Sequence, residues 1–112
     1  MEKIKIAVIG GGKMGGAITT ALSKKEEYEV FLYERTTEKA RALLDECPIT
    51  LLSSVSEATD MDCIIIALKP QNLPSFYEKL VPLSPGLFIS ICAGVDLNTL
   101  KENLKSDSVV RF

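Results

Sequence analysis

Short apolar runs alternate along this chain with stretches in which apolar residues recur at helical spacing. The apolar runs predict strands over residues 4–9, 30–33, 49–52, 62–68, 87–92 and 108–112. The helical spacing predicts helices over about residues 14–24, 37–47, 72–80 and 97–104, with one or two further turns near 56–59. Strands that alternate with helices are typical of a parallel sheet covered by helices.

Three of the predicted helices have a recognisable inner face, because apolar residues spaced three and four apart share one side of a helix. In the first helix this face is formed by Met14, Ala17, Ile18, Ala21 and Leu22. In the second it is formed by Ala40, Leu43, Leu44 and Cys47, and in the last by Leu97, Leu100 and Leu104. Thr36 or Thr37 is a suitable N-cap for the second helix, and Asp96 for the last.

A glycine-rich turn, Gly10 to Gly15, joins the first predicted strand to the first predicted helix. The G-x-G-x-x-G spacing alone is a weak signal, since it can also mark a flexible loop. Between a strand and a helix, however, backbone N–H groups and the positive end of the helix dipole converge, which suits a pyrophosphate. Gly10 then permits the tight turn, Gly12 lets the ligand approach the backbone, and Gly15 lets the helix pack closely on the sheet.

The order of elements and this turn together predict the fold class. We expect an α/β fold of the Rossmann type, a doubly wound and mainly parallel sheet with helices on both faces. At 112 residues the chain has the length of one ordinary domain, and no linker or repeat interrupts the pattern. Residues 1–112 are therefore predicted to form one dinucleotide-binding domain.

The end of the second predicted strand carries two conflicting cues about the cofactor. Glu34 stands there, and an acidic side chain at this place normally accepts hydrogen bonds from ribose hydroxyls and favours NAD. Arg35 and Thr36, followed by Lys39, offer a receptor for a ribose 2′-phosphate, although the two cations also fit a solvated helix start. We predict NADP as the cofactor, with Glu34 turned aside, and keep NAD as the alternative.

Two more segments follow strands whose carboxyl ends lie at the ligand-binding edge of such a sheet. They are residues 67–71 after the fourth strand and 91–94 after the fifth. Small residues at Ala67 and Ala93 leave room for a ribose and a flat nicotinamide ring. Lys69 stands directly before Pro70, which suits a solvated loop residue better than a catalytic acid. No catalytic residue is therefore predicted in this chain.

Composition narrows the classes of function. The 13 basic and 15 acidic residues are spread along the chain and give a net charge of −2, which argues against a nucleic-acid partner. There is no histidine, and Cys47, Cys63 and Cys92 are too far apart in sequence for a typical zinc site or disulfide framework. No apolar run approaches the roughly 20 residues that cross a bilayer. We expect a cytoplasmic protein with no metal site and no membrane segment, and buried unreactive thiols at Cys63 and Cys92, which lie in predicted strands.

Taken together, these features resemble pyrroline-5-carboxylate reductase, the enzyme that makes proline from its cyclic imine with NADPH or NADH. The resemblance covers the whole chain and rests on residues 9–18, 67–71, 90–95 and 109–111. Family members often have asparagine in place of Lys13 and Ser54. The cofactor-binding residues predicted from the pattern and from the resemblance are Ile9, Gly10, Gly11, Gly12, Lys13, Met14, Gly15, Glu34, Arg35, Thr36, Ser54, Ala67, Leu68, Lys69, Pro70, Ile91, Cys92 and Ala93.

The resemblance also implies a division of labour. In the family a C-terminal helical domain forms the dimer and supplies most substrate contacts, and it is absent from these 112 residues. We therefore expect the chain to bind a nicotinamide dinucleotide, to need that domain for reducing the small imino acid, and to form homo-oligomers only with it. Two alternatives stay open: the NAD(P) domain of a β-hydroxyacid dehydrogenase, and a stand-alone module that senses dinucleotides.

Overall fold

The computed structural model describes residues 2–111, with the side chain of Thr37 excepted. Its centre is one sheet in which all neighbouring strands run parallel. The strands are β1 (Ile4–Ile9), β2 (Tyr28–Tyr33), β3 (Thr50–Leu51), β4 (Cys63–Ile66), β5 (Leu87–Ser90) and β6 (Val109–Arg111). They lie in the order β3-β2-β1-β4-β5-β6, which is the Rossmann order, so the predicted fold class is confirmed.

Helices and short turns connect these strands. The α-helices are α1 (Lys13–Ser23), α2 (Thr37–Glu46), α3 (Tyr77–Leu80) and α4 (Leu97–Leu104). The 3₁₀ turns are Val55–Glu57, Leu73–Phe76 and Val81–Leu83. The predicted helix over 72–80 is thus a 3₁₀ turn followed by the single α-helical turn of α3, and Pro74 lies in the first turn of this pair.

The apolar runs are longer than the strands that they contain. The run over 62–68 contains β4 and the run over 87–92 contains β5. Past the strand ends, Ala67 still donates its N–H to the Ile9 carbonyl at 2.8 Å, and Ile91 donates to Ile66 at 3.0 Å. These hydrogen bonds hold both loops against the sheet. Of the last predicted strand, β6 is present, whereas Phe112 lies outside the described residues.

The hydrophobic core has two parts, one on each face of the sheet. In β1 the side chains of Ala7 and Ile9 belong to one part, and those of Ile6 and Val8 to the other. The first part is covered by α3 and α4, and the second by α1 and α2. Because side chains alternate between the faces of a strand, burial on both faces explains the continuous apolar sequence of β4 and of residues 6–9 in β1.

The inner face of α1 differs from the predicted one. Met14 is 64% exposed, and Ala17 and Ala21 are exposed as well. The buried positions of α1 are Gly15 and Thr19 instead. The predicted stripe is therefore wrong for three of its five residues, although its other two members are half-buried and pack on the core.

Close contact between α1 and β1 explains this rotation of the helix. A Cβ on Gly15 would overlap the Gly10 carbonyl oxygen and lie 3.1 Å from the Ala67 Cβ, so α1 approaches the sheet through its Gly15 side. Thr19 is buried one turn further on, and its hydroxyl donates to the Gly15 carbonyl at 2.8 Å. That hydrogen bond offsets the cost of burying the hydroxyl. Apolar periodicity missed this face because its closest contact is made by a residue without a side chain.

The predicted inner face of α2 is right for three residues and wrong for one. Ala40 and Cys47 are buried and Leu43 packs on the same core, but Leu44 is 44% exposed. Measured around the helix axis from residue 40, residues 43 and 47 lie about 60° and 20° to one side, and residue 44 lies about 40° to the other side, at the edge of this face. Thr36 is the N-cap residue, without a capping hydrogen bond from its side chain.

The N-terminus of α4 is formed as predicted. The Asp96 carboxylate accepts the Thr99 N–H at 2.8 Å, and hydrogen bonding to Thr99 lowers the pKa of Asp96. Leu100 and Leu104 are buried on the inner face. The cap and the apolar spacing therefore determine this helix locally.

Gly15→Ala tests the close approach of α1 to the sheet. We expect a free energy of unfolding lower by about 1–3 kcal/mol, since the added methyl group has no space between Gly10 and Ala67. Gly16→Ala is the matched control, because the atom nearest to its Cβ, the Gly11 carbonyl oxygen, is 3.6 Å away. Urea unfolding of both variants measures the difference. Equal stability would show that Gly15 does not limit the packing distance.

Candidate functional site

The turn after β1 lies where the strand order of the sheet reverses. β1 pairs with β2 on one side and with β4 on the other, and later strands extend the sheet outward on both sides. Gly10 donates its N–H to the Tyr33 carbonyl at 2.8 Å, as Ala67 does to Ile9. The carboxyl ends of β1, β2 and β4 therefore stand together, at the place where open α/β sheets bind ligands.

The backbone of the glycine turn is tightly packed at Gly10 and open at Gly12. Gly10 has a φ of +106°, and a Cβ on it would lie 2.6 Å from the Ala67 carbonyl oxygen, so no other residue fits there without strain. Gly12 is the N-cap residue of α1, and apart from its own chain neighbours no atom of the described residues lies within 4 Å of the position that its Cβ would take. A ligand can therefore approach the backbone at Gly12.

Among the described residues, no side chain caps the N-terminus of α1. Gly12 supplies no side chain to it, and the first turn of α1 contains no acidic residue. The first N–H groups of an α-helix lack partners within the helix. An anion above Gly12 would accept hydrogen bonds from them and be stabilised by the helix dipole, so the residues present fit a pyrophosphate.

A cleft of about 210 Å³ opens at the glycine turn. The predicted residues that line it are Gly10, Gly11, Gly12, Glu34, Arg35, Thr36, Ala67, Leu68 and Lys69. Lys39, named above beside Arg35, lines it too, and so do Tyr33 and Asn72, which sequence reasoning missed. Three cationic side chains and one carboxylate thus surround the cleft, a charge pattern that suits a polyanionic ligand.

The two missed residues had a positional signal in the sequence. Tyr33 is the last residue of β2, and Asn72 is the last residue of the loop after β4, so both lie at or beyond the carboxyl ends of strands next to β1. Motifs built on residue types do not contain this information. At a switch point, the residues that line the ligand cleft are those that follow the ends of the central strands, whatever their residue type.

The Glu34 carboxylate is directed toward the glycine turn, in contrast to the side chain turned aside that we predicted. One carboxylate oxygen accepts the Gly11 N–H at 2.5 Å, and the other accepts the Thr36 N–H at 3.0 Å. These bonds hold the carboxylate at the cleft between the β1 and β2 loops. Each oxygen has a second lone pair, so Glu34 can still accept a hydrogen bond from a ribose hydroxyl. A phosphate placed beside it would be repelled.

Cys92 connects the loops after β4 and β5. Its thiol is buried and donates to the Leu68 carbonyl at 3.0 Å, while its own N–H donates to the Ser90 hydroxyl at 3.2 Å. Burial raises the pKa of Cys92. The Cys92 thiol therefore holds the backbone of Leu68 in the lining of the cleft. The thiol itself is buried, so a ligand cannot reach it.

Nine predicted residues do not line the cleft, and they are Ile9, Lys13, Met14, Gly15, Ser54, Pro70, Ile91, Cys92 and Ala93. Ile9 is buried in the core and Gly15 is buried beneath the turn. Lys13 lines a separate groove between α1 and α2. Met14 is exposed at the start of α1.

Ser54 and Pro70 lie in surroundings of their own. The Ser54 hydroxyl is paired with the Ser56 hydroxyl at 2.9 Å, and the Ser54 N–H donates to the Glu57 carboxylate at 3.0 Å. Pro70 lines a different cleft, of about 590 Å³, together with Tyr77 of α3 and with residues of α4 and of the loop before it. The structure therefore brings the glycine turn and the 67–69 segment together and leaves Ser54 and Pro70 outside that cleft.

Three further expectations concerned the thiols, metal binding and membrane segments. Burial raises the pKa of Cys63 to about 11, so its thiol is protonated at neutral pH. Within residues 2–111, no three His, Cys, Asp or Glu side chains are grouped so as to hold a metal ion. In the same part of the chain, no helix is both long and apolar enough to cross a membrane.

Comparison with known proteins identifies the family to which this chain belongs. The model of the family described as NADP oxidoreductase coenzyme F420-dependent matches residues 5–94, which include the glycine turn and the lining of the cleft. The chain belongs to this family. A nicotinamide dinucleotide is therefore confirmed as the class of cofactor.

The individual proteins that this chain resembles include pyrroline-5-carboxylate reductases. The chain is 28% identical over 108 residues to the enzyme of Aquifex aeolicus, covering 96% of this chain and 40% of that one. It is 33% identical over 113 residues to the enzyme of Haemophilus influenzae, with 95% and 42% covered. A solved pyrroline-5-carboxylate reductase from Coxiella burnetii matches with a TM-score of 0.85 and 24% identity, over 95% of this chain and 43% of that one.

These matches confirm the predicted resemblance to pyrroline-5-carboxylate reductase. The chain spans about two fifths of the length of these relatives. The comparisons therefore concern the dinucleotide-binding part of an oxidoreductase of this family.

Gly12→Val tests whether the open N-terminus of α1 is the ligand site. The Gly12 backbone, with φ −65° and ψ −168°, is accessible to any L-residue, and its Cβ has open space, so the variant should fold normally. The branched side chain would fill the space that a pyrophosphate needs, and we expect no measurable binding of NAD(P)H. Calorimetric titration measures binding, and circular dichroism checks the fold. Unchanged affinity in a folded variant would place the ligand elsewhere.

Proposed function

We propose that this chain is the cofactor-binding domain of an enzyme that reduces 1-pyrroline-5-carboxylate to proline with NADPH or NADH. The observation that carries the proposal is the open, uncapped N-terminus of α1 at Gly12, at the switch point of the sheet. The pyrroline-5-carboxylate reductases among the relatives support the choice of substrate. No observation favours a β-hydroxyacid dehydrogenase or a dinucleotide sensor.

In this proposal the pyrophosphate lies above Gly12 and accepts hydrogen bonds from the N–H groups at the start of α1. The adenosine end lies toward Glu34 and Arg35, which line the cleft at the end of β2. The nicotinamide end lies toward the loops after β4 and β5. Ala67 and Ala93, with their small side chains, leave space there for the ring. The cofactor supplies the hydride, and this chain binds and orients it.

The chain contributes no catalytic residue in this proposal. Lys69 lines the cleft but is exposed on the loop after β4, where it balances the charge of the cofactor phosphates. Reduction requires the imine carbon to be held about 3–3.5 Å from the nicotinamide, and this positioning accounts for much of the rate. We assign it to a helical substrate domain, which also forms a homo-oligomer. We further propose that residues 1–112 are a single domain of a cytoplasmic enzyme.

A domain exchange tests the proposed reaction. Residues 1–112 replace the matching 42% of the Haemophilus influenzae reductase, and NADPH oxidation is measured with pyrroline-5-carboxylate. We expect turnover by the chimaera and none by residues 1–112 alone, because the isolated chain cannot position the imine. The same chimaera with Gly12→Val is the control and should be inactive. A chimaera that binds NADPH but does not reduce the imine would contradict the proposal that residues 1–112 are the cofactor domain of this reaction.

Arg35→Ala tests the proposed preference for NADP. Arg35 lines the cleft beside Glu34, and a guanidinium binds a phosphate through charge-assisted hydrogen bonds. We expect the variant to lose about 1.5–3 kcal/mol of binding free energy for NADPH and much less for NADH. Titration of residues 1–112 with both cofactors measures the two losses. Equal losses would remove the argument for NADP.

A further inference from the structure

The groove between α1 and α2 has no role in the proposed function beyond its end at the glycine turn. At that end Gly11, Gly12 and Lys39 line both the groove and the cleft. On α1 the lining continues from Lys13 to Lys24, so the groove follows the helix for about 16 Å. Its volume is about 690 Å³. Most of this surface is therefore free for another ligand.

The wall of the groove is apolar and consists mainly of small residues. Ala17 and Ala21 are exposed on α1, and Ala42 is exposed on the α2 side. Met14 is exposed too, and its spacing of three and seven residues places it on the same side of α1 as the two alanines. Leu43 adds a larger apolar side chain from α2. Contiguous exposed apolar surface of this kind is typical of a protein interaction site.

The wall offers few hydrogen-bonding partners away from the glycine turn. Of the described side chains that line it, Thr20 alone carries an oxygen, and this hydroxyl donates to the Gly16 carbonyl at 2.9 Å and accepts from the Cys47 thiol at 3.6 Å. An extended peptide would leave backbone N–H and C=O groups unpaired against such a wall. An α-helix pairs its own backbone and presents apolar side chains along one stripe, so the groove fits a helix.

The border of the groove is cationic. Lys13 and Lys24 stand at opposite ends of its α1 side, and Lys39 stands in the first turn of α2. None of the described residues that line it is acidic, and Glu46, which shares this side of α2 by its spacing, lies outside the lining. The chain as a whole has a net charge of −2, so this surface differs in sign from the average. Such a border favours an acidic occupant.

We propose that the groove between α1 and α2 is a docking surface for an acidic amphipathic helix of a partner protein. The apolar stripe of that helix packs on Ala17, Ala21 and Leu43. Carboxylates on the two flanks of the stripe pair with Lys13 and Lys24. The inference does not depend on the proposed function, since Ala17 and Lys24 line the groove and not the cleft at the glycine turn.

The experiment measures binding of a probe peptide to residues 1–112 by fluorescence anisotropy. The probe is a helix of about 18 residues with leucine along one face and glutamate on both flanks of that face. We expect a Kd of about 100 μM or tighter. Lys24→Glu should weaken binding about threefold or more, because a repulsion replaces an attraction. Ala17→Gln places a long side chain in the groove and should weaken binding about tenfold or more.

Lys25→Glu is the matched control for the charge. It makes the same change at the same end of α1, but Lys25 is exposed and does not line the groove, so we expect an effect below about twofold at physiological ionic strength. Two control peptides accompany the probe. One has the same composition in scrambled order, and the other has lysine in place of glutamate. Circular dichroism checks that each variant is folded.

Each outcome decides for or against the docking surface. Loss of binding in Lys24→Glu and Ala17→Gln but not in Lys25→Glu supports it. Equal binding of either control peptide, or no binding of the probe at about 1 mM, would overturn it. Binding to phosphatidylserine vesicles that the same two variants reduce would assign the groove to a membrane surface instead. Failure of the unaltered chain to bind NADPH would refute the proposed function and leave this inference standing.

Discussion

The contact between the start of α1 and the turn after β1 is the constraint on which the candidate site depends. Because Gly15 has no side chain, α1 packs against Gly10 and Ala67, and its N-terminus comes to lie between the ends of β1 and β4. The same contact turns Thr19 inward and leaves Met14 exposed. A single missing methyl group thus determines both the burial pattern of α1 and the position of the helix N-terminus that suits an anion.

Around that helix N-terminus, the charged side chains come from α2 and from the loops after β2 and β4. Lys39 and Lys69 reach the cleft from opposite sides, one from α2 and one from the loop after β4. Glu34 is fixed at the turn by two backbone N–H groups. In the proposed function, the backbone at Gly12 is a phosphate site that either dinucleotide can use, and the side chains at the end of β2 distinguish NAD from NADP.

The sequence predicted the fold well where local signals were strong. The order of strands and helices, the position of the glycine turn and the cap of α4 at Asp96 are all confirmed. The prediction was wrong where helix rotation depended on a tertiary contact, as at Met14 and Leu44. In the site, the residues from Gly10 to Gly12 were predicted, whereas Asn72 was not, because no motif marks a residue by its distance from a strand end.

The sequence by itself determined the class of this protein, since strand and helix periodicity and the glycine spacing act over a few neighbouring residues. The tertiary structure decided which side chains share the cleft and how they are directed. The hydrogen bond between Gly11 and Glu34 joins residues 23 positions apart, and it exists because β1 and β2 pair in the register that aligns Ile9 with Tyr33. Such contacts depend on how elements pack, and packing is a property of the whole chain that no local pattern contains.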